Sequence, residues 1–182
     1  MALFRIEDYS QITSNFKEHL FIFHYDGIIR KTILDYKFNE KSYIYKTFVN
    51  FLKKNEKMCV QIKKYDIIMP IPISKKRFKE RGYNQSGLFA RELARNLQIQ
   101  NLKNGLIKIK NNPAQSSLSK EQREYNVKDV YKVNLKTTNN MKGKKVLLVD
   151  DIFTTGNTVN ECSKILLDAG VIQVGILTIA KD

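Results

Sequence analysis

A chain of 182 residues with 42% hydrophobic and 27% charged side chains has the make-up of one folded domain with its own core, which excludes disordered and collagen-like polymers. Its two cysteines, Cys59 and Cys162, form no Cys-x-x-Cys pair, which excludes a disulfide framework and a cysteine-built zinc site. The net charge of +14 is concentrated in residues 71–145, with 18 Lys/Arg against 5 Asp/Glu; residues 1–70 hold 12 against 8, and residues 146–182 hold 2 against 5. Such a block suits a solubilising face, a polyanionic small ligand or nucleic acid. The opening Met1–Asp8 carries Arg5, Glu7 and Asp8 in place of an apolar signal-peptide core, and no run has the length of a membrane span. A cytoplasmic protein with reduced thiols is expected.

Taken in chain order, Phe21–Tyr25 reads as a short strand, and Asp26-Gly27 turns it into a helix with Ile28, Ile29, Ile33 and Tyr36 on one face. Tyr43–Lys57 reads as a second amphipathic helix through Ile44, Phe48, Phe51 and Leu52. Asp66–Ile73 is an apolar run of strand length ended by prolines, and Asn84–Gln98 is helical, with Leu88, Phe89, Leu93, Ala94 and Leu97 as its stripe. Leu106–Ile109 and Val130–Val133 are short strands, and Ser119–Asn126 opens with a capping-box pattern. Val146–Val149 is a buried strand, Asn157–Ala169 a helix stopped by Gly170, and Gly175–Ala180 a last strand. Strands alternating with helices give an α/β fold with a mostly parallel sheet, whose ligands bind at the carboxyl ends of strands. Both the basic loop after Ile73 and the acidic pair after Val149 fall at such ends.

The stretch Asp150–Thr158 combines two chemistries. Thr154, Thr155, Gly156, Asn157 and Thr158 put hydroxyls and backbone N–H groups where a helix begins, a cradle for phosphate. Asp150 and Asp151 would repel that phosphate, so they must face vicinal hydroxyls or a Mg²⁺ shared with the ligand. A ribose 5-phosphate satisfies both halves. A receiver-domain reading of VLLVDD fails because only 31 residues follow Asp151, and a Walker B reading lacks any GxxxxGK[ST]. Simple capping needs one of these residues, not the whole set.

The thirteen residues Val146–Thr158 resemble the phosphoribosyl-pyrophosphate (PRPP) motif of type I phosphoribosyltransferases. That resemblance implies the type I phosphoribosyltransferase fold. It gives Asp150 and Asp151 the ribose hydroxyls and the Mg²⁺ bound with PRPP, the latter partly through ligand or water, and gives Thr154–Thr158 the 5′-phosphate. MPIPISKKRFKERGYNQS (Met69–Ser86), AQSSLSKEQREYNVKDVY (Ala114–Tyr131) and YDGIIRKTILDYKFN (Tyr25–Asn39) are similar to segments of the ComF family, which is implicated in natural competence. ComF proteins commonly begin with a four-cysteine zinc finger, which this chain's two cysteines do not form; no zinc is implied. The expected organisation is an N-terminal hood over residues 1–60 and a phosphoribosyltransferase-like core over 61–182. The family's frequent dimers imply a homodimer. In 6-oxopurine salvage enzymes an Asp stands where this chain has Thr154, which argues against hypoxanthine or guanine as acceptor.

PRPP transfer displaces pyrophosphate from the ribose C1 and needs cations on the leaving group. Lys75, Lys76, Arg77, Lys79 and Arg81 follow Ile73; Arg77 and Arg81, with Lys76, are the expected pyrophosphate grip because a guanidinium holds phosphate in a bidentate way. Gln115 and Arg123 are candidates to close over the ligand, and Tyr83 to close over it or stack on nucleic acid. His19 and His24 read as structural or surface residues. Two functions stay open: a Mg²⁺-dependent phosphoribosyltransferase linked to DNA uptake, or a non-catalytic competence factor on the same fold. The second would hold single-stranded DNA through the basic block, Phe78 and Tyr83, alongside other competence proteins.

Overall fold

The computed structural model describes residues 3–38, 41–110 and 129–182. In chain order the elements are β1 (Arg5–Asp8), β2 (Glu18–His24), α1 (Gly27–Phe38), α2 (Ile44–Lys53), α3 (Glu56–Ile62), β3 (Ile67–Pro70), α4 (Lys75–Arg81), α5 (Gln85–Leu97), β4 (Gln100–Asn101), β5 (Leu106–Lys108) and β6 (Tyr131–Val133). A 3₁₀ turn (Leu135–Asn140), β7 (Lys145–Phe153), α6 (Asn157–Asp168) and β8 (Gln173–Lys181) complete them. Six strands form one sheet in the order β1-β2-β8-β7-β3-β4, parallel throughout except for antiparallel β1, and β5 and β6 form a separate antiparallel pair. This is the α/β architecture expected. β1 and β2, from the 1–60 segment, extend the sheet of the 61–182 segment, with β2 paired to β8.

β7 is central and its apolar residues alternate between the two faces. Leu147 and Val149 pack with Ile33 and Tyr36 of α1, Phe48 and Leu52 of α2, and Phe89 and Leu93 of α5. Val146 and Leu148 pack with Val159, Cys162 and Leu166 of α6. Each large side chain buried in these layers contributes about 1.5–3 kcal/mol.

Two expectations need correction. The helix expected over Tyr43–Lys57 is two helices, because the Asn55 side chain accepts from the Met58 N–H and caps a new start at α3. The basic stretch after Ile73 is a helix, not a loop. Ser74 caps it by accepting from the Arg77 N–H, and Gly82, at φ 76, ends it; with no buried residue on α4, hydrophobic periodicity had nothing to report. The capping-box segment Ser119–Asn126 lies outside the described residues.

The sheet opens at one place. β3 pairs with β7 only as far as Pro70 opposite Val149, with one more bond from the Ile71 N–H to the Val149 carbonyl. Pro70 and Pro72 have no N–H to continue the ladder. β7 runs on beside β8 alone, so Asp150 and Asp151 lie along an edge from which β3 has departed. That departure leaves the carboxyl end of β7 without a neighbour on one side.

Candidate functional site

The Thr154–Thr158 loop is built around one glycine. Gly156 has φ 77, and a Cβ there would come within 2.7 Å of Phe153 Cζ. Phe153 cannot give way easily: it is buried and stacks on the His19 ring at 4.2 Å. The chain therefore reverses at Gly156 and enters α6, whose first N–H groups have no partner within the helix. Asp150, Ile152 and residues 153–159 line an open cleft. His19 supports this floor as a buried ring packed on Phe153. Burial first, and the Lys181 charge second, hold its pKa down to about 3, and its Nε2 lies 2.8 Å from Thr178 Oγ1. His24 is exposed at the end of β2.

The acid pair is held from two sides. Asp150 Oδ1 accepts from Ser86 Oγ at 3.0 Å and from the Asp151 N–H at 2.9 Å. Burial and the neighbouring Asp151 charge push the Asp150 carboxyl up to about 7, against the lowering effects of those hydrogen bonds and of Lys37. Some of Asp150 still meets solvent, as a residue at a cleft must. Asp151 pairs with Lys37, Nζ to Oδ1 at 2.9 Å. Lys37 comes from the last turn of α1, and Ser86 from the first turn of α5. Neither was a site candidate from sequence. Ser86 closes the Arg-Gly-Tyr-Asn-Gln-Ser stretch, and Lys37 with Phe38 forms the Lys-aromatic pair of the Tyr25–Asn39 stretch; those resemblances were their only signals.

The Arg81–Ser86 stretch is the keystone. Gln85 accepts from Tyr36 Oη through its carbonyl at 2.7 Å and from Arg81 Nη1 through its side chain at 3.1 Å. The Asn84 side chain donates to the Ile71 carbonyl at 3.0 Å, tying α5 to the end of β3. Asn84 Oδ1 and Gln85 Nε2 are buried without a partner. Tyr83 stacks on Tyr36, ring centroids 6.0 Å apart, and its hydroxyl donates to the Tyr36 carbonyl.

Arg81 is half-buried over the Phe38 ring at 4.8 Å and within electrostatic reach of Asp151 and Arg77. Burial, then the Arg77 charge, lower its pKa. Arg77 is partly buried and Lys76 exposed. A further cation, unforeseen from sequence, is Lys108 of β5. It lies over the Tyr131 ring at 5.2 Å and feels the charges of both Arg77 and Asp150; burial first, then Arg77, lowers its pKa. Gln115 and Arg123 lie outside the described residues.

Among the described residues no group of three His, Cys, Asp or Glu side chains could hold a metal. Two carboxylates beside an ammonium make no resident Mg²⁺ site. They fit a Mg²⁺ that arrives on ligand oxygens and keeps its waters, the usual mode of binding for that ion.

A mostly parallel sheet with an acid pair and the glycine-turned Thr154–Thr158 loop at the end of one strand is the architecture of a phosphoribosyltransferase-like protein. Residues 84–182 match the family described as the phosphoribosyl transferase domain. Competence protein F of Haemophilus influenzae is 33% identical over 161 residues, covering 87% of this chain and 70% of that one. Competence protein ComFC of Bacillus subtilis is 30% identical over 150 residues, covering 82% and 58%. DNA utilization protein YhgH of Escherichia coli is 32% identical over 111 residues, covering 61% and 47%. The chain belongs to the ComF family of the type I phosphoribosyltransferase superfamily.

Proposed function

We propose that this chain binds PRPP with Mg²⁺ and recognises or transfers its 5-phosphoribosyl group, in a role linked to DNA uptake. The observation that carries the reading is the placing of Asp150 and Asp151 at the open edge of β7, next to the Gly156 cleft at the start of α6. A ribose fits this pairing: its 2′ and 3′ hydroxyls donate to the carboxylates, while its 5′-phosphate takes the N–H groups and threonine hydroxyls of Thr154–Thr158. Arg77 and Arg81 then face the pyrophosphate, with Lys76 at the rim and Lys108 as an added cation. Asp150 and Asp151 would hold Mg²⁺ together with ligand oxygens and water, and the ion would supply charge for the leaving pyrophosphate. In transfer, the bond from C1 to the pyrophosphate oxygen breaks with its electron pair leaving on the oxygen, and the acceptor's lone pair forms the new bond at C1. Calorimetric titration of PRPP and Mg²⁺ into the wild type and into Asp150→Asn/Asp151→Asn tests this reading.

The names of the relatives, two competence proteins and a DNA utilization protein, support the link to DNA. A second reading, single-stranded DNA binding without catalysis, is favoured by the surface of α4. Lys75, Lys76 and Lys79 are exposed there beside Phe78, itself 51% exposed, which is a cationic face with a stacking ring. Affinity for an oligothymidylate should then fall steeply with salt and weaken in Arg77→Ala/Arg81→Ala while surviving the Asp150/Asp151 changes. Salt-insensitive or absent binding would sink it. The cytoplasm, other competence proteins and a homodimer are proposed as the setting, consistent with the absence, among the described residues, of any helix long and apolar enough to cross a membrane.

A further inference from the structure

We infer that Lys37 is the built-in counter-ion of the acid pair, a positioning residue that aims Asp151 at the ribose hydroxyls and lets the ribose-phosphate half of the ligand bind without a divalent cation. The inference rests on the phosphoribosyl reading above and adds a residue to it.

The Lys37–Asp151 pair is sheltered. Its atoms are 2.9 Å apart, and the two side chains keep only 18% and 14% of their accessible surface. Exposed ion pairs are loose and nearly neutral in energy, whereas removing one partner of a sheltered pair leaves the other charge uncompensated. The lysine is also fixed from behind. Tyr36 on one side is fully buried with its hydroxyl on the Gln85 carbonyl, and its own carbonyl accepts from Tyr83. Phe38 on the other side lies beneath the Arg81 guanidinium. The last turn of α1 is thus clamped to the first turn of α5, the same turn whose Ser86 holds Asp150. One short segment, Arg81–Ser86, therefore places both the cation on Asp151 and the donor on Asp150.

This arrangement answers an electrostatic difficulty. Two carboxylates beside a phosphate cradle would repel the phosphate they help to bind. Lys37 on Asp151, with Arg81 within reach of the same carboxylate, brings two positive charges to the pair from within the chain. Lys37 takes one oxygen of Asp151, and a carboxylate has a second to accept from a hydroxyl. The divalent cation is then needed for the pyrophosphate and not for binding the ribose-phosphate half.

The test titrates ribose 5-phosphate into the full chain calorimetrically, with EDTA and with Mg²⁺, for the wild type, Lys37→Met, Lys37→Arg, Asp151→Asn and Lys37→Met/Asp151→Asn. PRPP with Mg²⁺ is titrated into the wild type alongside. The wild type should bind ribose 5-phosphate equally, within about threefold, in both conditions. Lys37→Met should lose about tenfold in EDTA and recover part of it with Mg²⁺, and Lys37→Arg should retain binding. The double variant should bind no more weakly than Asp151→Asn alone, because the lysine acts through that carboxylate. A wild type that needs Mg²⁺ for ribose 5-phosphate, a Lys37→Met protein that binds as the wild type does, or a loss that adds to that of Asp151→Asn overturns the inference. So does absence of ribose 5-phosphate binding where PRPP with Mg²⁺ binds, which leaves the phosphoribosyl reading standing. If neither ligand binds, the reading itself fails and the inference goes with it.

Discussion

Replacing Asp150 by Asn should make the ligand-free protein more stable, by an amount that depends on pH. The carboxyl is raised from 3.8 to about 7, first by burial and then by the charge of Asp151. At about 1.4 kcal/mol per tenfold change, a rise from 3.8 to about 7 puts the cost of ionising it in the fold at about 2–4 kcal/mol, the lower figure allowing for its remaining contact with solvent. The sign follows from the direction of the shift. The folded state favours the proton, so this stability is fully present below the unfolded value of 3.8 and is lost as pH rises through about 7. An amide cannot ionise, and its oxygen can still accept from Ser86 Oγ and from the Asp151 N–H, both of which go to one oxygen of Asp150. Melting curves without divalent cations should therefore place the variant about 4–16 °C above the wild type at pH 8, at about 2–4 °C per kcal/mol. The gap should narrow from pH 7 downward and close near pH 4. PRPP with Mg²⁺ should raise the wild type and leave the variant unmoved. A variant no more stable than the wild type at pH 8, or a gap independent of pH, would refute the reasoning.

Gly156→Ala should cost about 1–3 kcal/mol of stability and abolish binding of phosphate-bearing ligands, since φ 77 and the 2.7 Å approach to Phe153 forbid the methyl; an unchanged melting temperature would contradict this. Arg81→Lys should weaken PRPP about tenfold while leaving ribose 5-phosphate within about threefold, because a lysine neither forks onto a pyrophosphate nor lies flat on Phe38. Equal losses for both ligands in paired titrations would place Arg81 elsewhere.

What the sequence revealed and what it hid divide along physical lines. The Val146–Val149 run is buried on both faces and reads as a strand from its own residues, and the glycine turn into α6 follows from local chemistry. Pro70 and Pro72 likewise announced the end of β3. The split at Asn55 was hidden because apolar spacing continues across the break, from Leu52 to Met58. α4 was hidden because it buries nothing and depends on Ser74 and Gly82 at its ends. Lys37 and Lys108 were hidden for a different reason. Their partners lie far along the chain, in Asp151 for the one and Arg77, Tyr131 and Asp150 for the other, and only the tertiary fold brings them together. Tyr83, a candidate to close over the ligand or stack on nucleic acid, stacks on Tyr36 in the fold, a contact that the sequence did not announce.

The central claim is that Asp150, Asp151 and the Gly156 loop grip opposite ends of one ribose phosphate. Calorimetry of PRPP with Mg²⁺ against the wild type and Asp150→Asn/Asp151→Asn tests it most directly. The account predicts saturable one-site binding by the wild type and a loss of about a hundredfold or more in the variant, with the variant's fold intact by its melting curve. Absence of binding by the wild type, or equal affinity in the variant, would contradict it.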